Sequence, residues 1–80
     1  MLELVMQLFK DKFLQLRKDS GLTQPQLAIE LGVSKGVISF WEIGRSEPSA
    51  YMLKKIALFF DVSTDYLLGI EDEFGAKIKQ

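Results

Sequence analysis

The side chains that most enzymes use for acid, base or metal chemistry are scarce in this chain. Its 80 residues include neither cysteine nor histidine, so disulfides, thiolate nucleophiles, imidazole catalysis and the usual zinc sites are excluded together. Paired carboxylates remain, Asp61 with Asp65 and Glu71 with Glu73. They fall at a helix cap and in a terminal segment rather than around a pocket. The sequence therefore predicts neither an enzyme nor a metal or organic cofactor.

A second group of polar side chains lies on the outer face of a short helix predicted over residues 34–42. Along this helix Val37, Ile38 and Trp41 recur at the spacing of a buried face. The opposite face then carries the side chains that can meet a partner, namely Lys35, Gly36, Ser39 and Phe40. Lys35, in the first turn, can donate hydrogen bonds to guanine O6 or N7. This pattern favours contact with nucleic acid bases.

The element that must position this face is a pair of short helices joined by a tight turn. Two amphipathic helical patterns within residues 22–45 are separated only by residues 31–34, Leu-Gly-Val-Ser. Such a turn is too short for the two helices to lie antiparallel. The spacing is typical of a helix-turn-helix, which places its second helix in a DNA major groove.

Capping residues mark where the two helices of this helix-turn-helix pattern begin. Thr23 and Gln26 have the spacing of a capping box, which predicts a helix over residues 24–31. Pro25 disfavours helical torsions at Gln24, so this helix is expected to begin there or one residue later. Ser34 is the expected N-cap of the second helix.

Three further helices complete the predicted all-α domain. The first spans about residues 8–18, or starts earlier, and stops at Gly21. Another spans residues 50–60 after an N-cap at Ser49, and a short one spans residues 64–68 and closes at Gly69. The side chains expected in the core of these three helices are Phe9, Phe13, Leu16, Leu53, Ile56, Ala57, Phe60, Val62, Tyr66 and Leu67. We expect one domain over residues 1–80, with its core in 9–69, the helix-turn-helix in 23–43 and a tail in 70–80.

The tail has a helical pattern of its own. Ile70, Phe74 and Ile78 recur every four residues, and Glu73 and Lys77 form a favourable pair at the same spacing. An extra C-terminal helix is therefore expected. Its apolar stripe either docks on the domain's own core or joins two copies of the chain, and the sequence leaves both open.

The net charge of the chain is not the one expected of a domain that binds nucleic acid. The formal net charge is −1, whereas domains that bind nucleic acid are usually basic. Three acidic residues in the tail, Glu71, Asp72 and Glu73, account for the deficit, because the rest of the chain carries +2. A basic face can coexist with an acidic end, since salt screens charges beyond about 8 Å. The apolar run near the start is too short to span a membrane, so we expect a cytoplasmic protein.

Many residues at fixed offsets make the chain similar to the Cro/repressor, or Xre-type, helix-turn-helix family of phage and bacterial regulators. The resemblance covers residues 9–69 and implies a five-helix, lambda-repressor-like fold whose third helix reads DNA bases. Its most specific matches are Leu22-Thr23-Gln24, Leu27-Ala28, Leu31-Gly32-Val33-Ser34, Ile38-Ser39, Trp41-Glu42, Gly44, Pro48, Val62-Ser63 and Leu67-Leu68-Gly69.

The resemblance also implies individual roles. The residues it assigns to DNA contact are Gln24, Ser34, Lys35, Gly36, Ser39, Phe40 and Arg45, of which Gln24 and Arg45 meet phosphates. Arg17 and Glu42 are expected to form a structural ion pair. Two positions depart from the family pattern: Phe40 replaces a polar base-reading side chain, and Ile43 replaces an asparagine that contacts a phosphate. These departures predict few direct base contacts and a larger share of recognition through DNA shape.

These observations together predict a sequence-specific DNA-binding transcriptional regulator. We expect a homodimeric repressor that binds a pseudo-palindromic operator in double-stranded DNA, with no membrane and no small-molecule effector as partners. The alternative is a protein-interaction regulator or antitoxin on the same fold, which the acidic balance and the apolar Phe40 and Ile43 favour.

Overall fold

Five helices make up the computed structural model, which describes the backbone of residues 2–70 and the side chains of residues 9–70. They are α1 (Leu2–Asp19), α2 (Gln24–Leu31), α3 (Lys35–Glu42), α4 (Ala50–Phe60) and α5 (Thr64–Leu67). No strand occurs within residues 2–70. The predicted all-α fold of five helices is therefore confirmed. The predicted C-terminal helix lies outside the described residues.

The helix boundaries follow the sequence signals closely, with one correction. α1 begins at Leu2, the earlier start that the sequence left open, since residues 2–8 contain good helix formers and no proline or glycine to stop the helix. α5 ends at Leu67, one residue before the predicted end. α2 begins at Gln24 with Pro25 in its first turn, so the proline does not delay the helix, since a first-turn proline loses no intrahelical hydrogen bond.

Side-chain caps fix where the helices start. At α2 the capping box is complete: Thr23 Oγ1 accepts from the Gln26 backbone N–H, and Gln26 Oε1 accepts from the Thr23 N–H at 2.8 Å. Serine hydroxyls cap the next three helices in the same way, at Ser34, Ser49 and Ser63. Gly32, with φ +71°, ends α2 in the left-handed region. Two of these caps, at Gly32 and Ser34, set the angle between α2 and α3.

One hydrophobic core lies between α1, α2 and α3 on one side and α4 and α5 on the other. Its buried members are Phe9, Phe13, Leu27, Ala28, Leu31, Ile38, Trp41, Ile56, Ala57 and Leu67. Phe13 is central, because its ring stacks on Phe9 with centroids 5.4 Å apart and meets the edge of Trp41 at 5.7 Å. Ile38 and Trp41 anchor the inner face of α3 in this core and thereby turn its other face outward.

No helix within residues 2–70 combines the length and the apolar character that crossing a bilayer requires.

Candidate nucleic-acid interface

The outer face of α3 is open to solvent among the described residues. Ser34, Lys35 and Gly36 are exposed at its start, Ser39 is half-buried, and Phe40 is 45% exposed. An eight-residue helix is about 12 Å long. The structure therefore presents a short rod that is fixed in the core on one side and uncovered on the other.

The start of α3 has the properties of an anion-binding helix end. Ser34 Oγ accepts a hydrogen bond from the Val37 N–H at 3.2 Å, which satisfies one of the four N–H groups that lack an intrahelical acceptor. The N–H groups of Lys35 and Gly36 also lack an intrahelical acceptor, and the positive end of the helix dipole lies at this end of α3, where the Lys35 side chain is exposed. This arrangement can hold a phosphate oxygen or an acceptor on a base edge.

The end of α3 is a Schellman motif centred on Gly44. Gly44 has φ +75°, a conformation that glycine adopts without steric cost. Its N–H donates to the Trp41 carbonyl at 3.3 Å, and the Arg45 N–H donates to the Phe40 carbonyl at 2.9 Å, the two hydrogen bonds that define the motif. The chain thus reverses immediately after α3 and brings Arg45 back beside the helix.

Basic side chains gather at this end of α3. The Arg45 guanidinium lies over the Phe40 ring, 5.5 Å from its centroid. A Cβ atom at Gly44 would lie 3.1 Å from Lys10 Cδ, so the Lys10 side chain packs against the turn. No pattern in the sequence indicated this approach of α1 to the end of α3. Both ends of α3 therefore carry positive charge.

A buried carboxylate joins the first three helices behind this face. Glu42 accepts hydrogen bonds from Arg17 Nε, from Arg17 Nη2 at 3.1 Å and from Gln24 Nε2 at 2.9 Å. Arg17 Nη1 also donates to the Leu22 carbonyl at 2.9 Å. The Glu42 side chain is 5% exposed and the Arg17 side chain 14%. These four hydrogen bonds hold the angle between α1, α2 and α3.

The electrostatics of this cluster favour the charged arginine. The hydrogen bond to Glu42 raises the pKa of Arg17 above its ordinary value, and the Coulombic attraction of Glu42 acts in the same direction. Burial opposes both effects by penalising the charge. The guanidinium is therefore a permanent cation in the folded chain.

Gln24 is the first residue of α2, and its side chain belongs to the cluster around Glu42. Gln24 Nε2 donates to the Glu42 carboxylate at 2.9 Å. An amide nitrogen has two hydrogens, so one remains for a second acceptor while the other holds the side chain in place. The structure therefore fixes Gln24 by a contact that the sequence analysis did not foresee.

The residues assigned to DNA contact thus fall into two sets. Five of them, Ser34, Lys35, Gly36, Ser39 and Phe40, lie along one face of α3, and the Arg45 guanidinium lies over the Phe40 ring. Gln24 stands apart on α2. The signal that could have placed Arg45 was present in the sequence, because Arg45 and Phe40 occupy the two positions of a glycine-terminated helix whose side chains regularly touch.

Known proteins that resemble this chain are helix-turn-helix regulators. The model of the helix-turn-helix family matches residues 14–67. The HTH-type transcriptional activator BcrR of Enterococcus faecalis is 47% identical over 64 residues, which cover 80% of this chain and 31% of BcrR. The HTH-type transcriptional regulator YobD of Bacillus subtilis is 36% identical over 66 residues, which cover 82% of this chain and 59% of YobD.

A shorter relative matches almost end to end. An HTH-type transcriptional regulator of Methanocaldococcus jannaschii is 39% identical over 64 residues, which cover 80% of this chain and 97% of the relative. The chain thus spans about a third of BcrR and about three fifths of YobD, but nearly the whole of this archaeal protein. No solved structure gives a significant match.

Proposed function

This chain belongs to the Xre-type helix-turn-helix family of transcriptional regulators, and we propose that it binds a specific DNA sequence by inserting α3 into the major groove. The observation that carries the proposal is the open outer face of α3 with a basic group at each end, Lys35 at the start and Arg45 after the end. Its inner face is held by Ile38 and Trp41 in the core. A helix that packs in the core on one face and is exposed on the other can enter the DNA major groove.

The dimensions and chemistry of the face fit a duplex. The major groove is about 12 Å wide and admits one α-helix. Lys35 would donate to guanine O6 or N7, and Ser39 would meet a base edge in the next turn of α3. Gln24, at the start of α2, would donate its second amide hydrogen to a phosphate. The Arg45 guanidinium would donate to another phosphate. Specific affinity then comes mainly from phosphate contacts, and it should fall steeply with salt.

We further propose that the chain acts as a dimeric repressor on a pseudo-palindromic operator. Support comes from apolar side chains around α5 that the single chain leaves partly uncovered: Phe59 is 39% exposed, and Leu68 and Ile70 are half-buried. A twofold contact through such a patch would bury the same residues on both copies. The two α3 helices would then enter successive major grooves about 34 Å apart. Sedimentation should show a dimer that Phe59→Glu converts to a monomer.

The binding proposal is tested with duplexes recovered by selection from randomised DNA, each compared with a scrambled duplex at two salt concentrations. Lys35→Ala should abolish the preference for the selected duplex and leave the thermal midpoint unchanged, because Lys35 is exposed. Lys54→Ala is the matched control, since Lys54 is an exposed lysine on α4. Equal affinity of wild type and Lys35→Ala for the selected duplex would refute the assignment.

A second candidate is a protein-interaction regulator or antitoxin on the same fold. It is favoured by two exposed apolar side chains of α4, Leu58 at 73% and Tyr51 at 71%, which line one shallow cavity with Lys54 and Lys55. Apolar surface that is contiguous and exposed commonly marks protein contacts. This candidate gains if selection from randomised DNA recovers no preferred sequence while a protein partner remains bound after nuclease treatment.

A further inference from the structure

Phe40 is an aromatic side chain on the outer face of α3, 45% exposed, and its ring cannot hydrogen-bond a base edge. The Phe40 ring makes a cation–π contact with the Arg45 guanidinium, which lies 5.5 Å from the ring centroid. We infer that Phe40 is a positioning residue, whose ring holds the Arg45 guanidinium at the edge of α3 for contact with a DNA phosphate. The inference rests on the proposed function, because it assigns Phe40 a role in the same interface.

The backbone brings the two side chains together before any side-chain attraction acts. Arg45 follows Gly44, and its N–H is bonded to the carbonyl of Phe40 itself at 2.9 Å. In a Schellman motif these two positions carry the apolar contact that closes the helix end. Here an arginine occupies one of them, so a cation lies on a ring face where two apolar side chains would ordinarily meet.

The contact has the chemistry to order a side chain that is otherwise free to rotate. Arginine stacks well on aromatic faces, and within about 6 Å of a ring centroid the attraction is significant. Arg45 and Phe40 are both exposed, so a phosphate can approach the guanidinium without displacing the ring. The guanidinium has five N–H donors, and its contact with the ring face uses none of them in a hydrogen bond, so they stay available to a phosphate. Because the rotamer is fixed before binding, less entropy is lost when the phosphate contact forms.

The side chains at this end of α3 offer DNA few other polar contacts. Ile43, 59% exposed, and Phe40, 45% exposed, carry no side-chain hydrogen-bond donor. The pair of Phe40 and Arg45 supplies one oriented phosphate donor at that end of α3. Recognition there therefore shifts from bases to the DNA backbone.

The test is a double-mutant cycle on the full chain, with a mixed-sequence 24-base-pair duplex as probe across a salt series. Phe40→Leu keeps an apolar side chain and removes the ring face, and it should raise Kd roughly 2- to 5-fold, the effect of one exposed cation–π contact. Arg45→Ala should weaken binding and reduce the salt slope by about 0.9, the effect of one phosphate contact. With Arg45 already removed, Phe40→Leu should have no further effect on Kd.

Two variants serve as rescue and control. Phe40→Tyr retains a ring face and should restore wild-type affinity. Tyr51→Leu, which removes an exposed ring on α4, should leave affinity unchanged. In the free protein, the order parameter of the Arg45 Nε–H should fall in Phe40→Leu, because the ring that orders the guanidinium is lost. It should return to the wild-type value in Phe40→Tyr, because the ring face is present again.

The outcomes separate the two proposals. If the wild type binds and Phe40→Leu weakens binding equally with and without Arg45, the inference is wrong while the proposed function stands. If Phe40→Leu binds as tightly as the wild type, the inference is also wrong. If the wild type binds no duplex at any salt concentration, both are overturned.

Discussion

Replacing Glu42 with alanine is expected to lower the free energy of unfolding by about 3 kcal/mol, the lower end of the range for breaking a buried ion pair. The lower end applies because Arg17, at 14% exposed, lies close enough to the surface to recover some water. The loss has a clear structural origin. Three hydrogen bonds to the carboxylate disappear, two from Arg17 and one from Gln24, and the guanidinium is left without its counter-charge.

For so small a domain the effect is large. Total stability is expected to be about 5 kcal/mol, near the lower end for folded domains, so most of it would be lost. At about 4–8 °C per kcal/mol the thermal midpoint should fall by about 12–24 °C. The assay is urea unfolding followed by the fluorescence of Trp41, the single tryptophan, which is 4% exposed.

Two companion variants sharpen this prediction. Asp19→Ala removes an exposed carboxylate that accepts a hydrogen bond from Gln15, and it should change stability by less than about 0.5 kcal/mol. Replacing both partners, Arg17→Met with Glu42→Leu, removes the pair without leaving an unpaired buried charge, so it should cost less than the two single losses added together. The reasoning is refuted if Glu42→Ala loses less than about 1 kcal/mol, or if the single losses add without coupling.

Further predictions concern the helix ends, the core and pH. Trp41→Ala should cost about 3–5 kcal/mol and largely unfold the chain in circular dichroism, because it empties a buried site. Ser34→Ala should cost about 1 kcal/mol in urea unfolding through loss of the α3 cap. Gly44→Ala should cost about 1–2 kcal/mol by the same measurement, because alanine is strained at φ +75°. The pKa of Arg17 is raised in the folded state, so its contribution to the free energy of unfolding is complete below the ordinary pKa of arginine. That contribution is lost only as pH rises through the folded-state pKa. The stability cost of Arg17→Met should therefore stay constant between pH 7 and pH 10.

The helices were readable from the sequence because their signals are local. A capping box at Thr23, serine caps such as Ser34, and apolar residues at helical spacing each depend on a few neighbouring residues. The same signals gave the outward face of α3, since burying Ile38 and Trp41 leaves Lys35 and its neighbours outside. The start of α1 was left open between residue 8 and an earlier position, because no capping residue marks it.

The side-chain arrangement around α3 was decided by the tertiary structure. Arg17 and Glu42 are 25 residues apart, and only the resemblance to a family suggested their pairing. The approach of Lys10 to Gly44 and the turn of the Gln24 amide toward Glu42 were not predicted at all. Hydrogen-bond direction and close approach depend on how the helices cross, and residue spacing along one helix contains no information about that. The sequence by itself determined which residues form helices and which face is apolar, while packing decided which polar groups are held and which stay free for a partner.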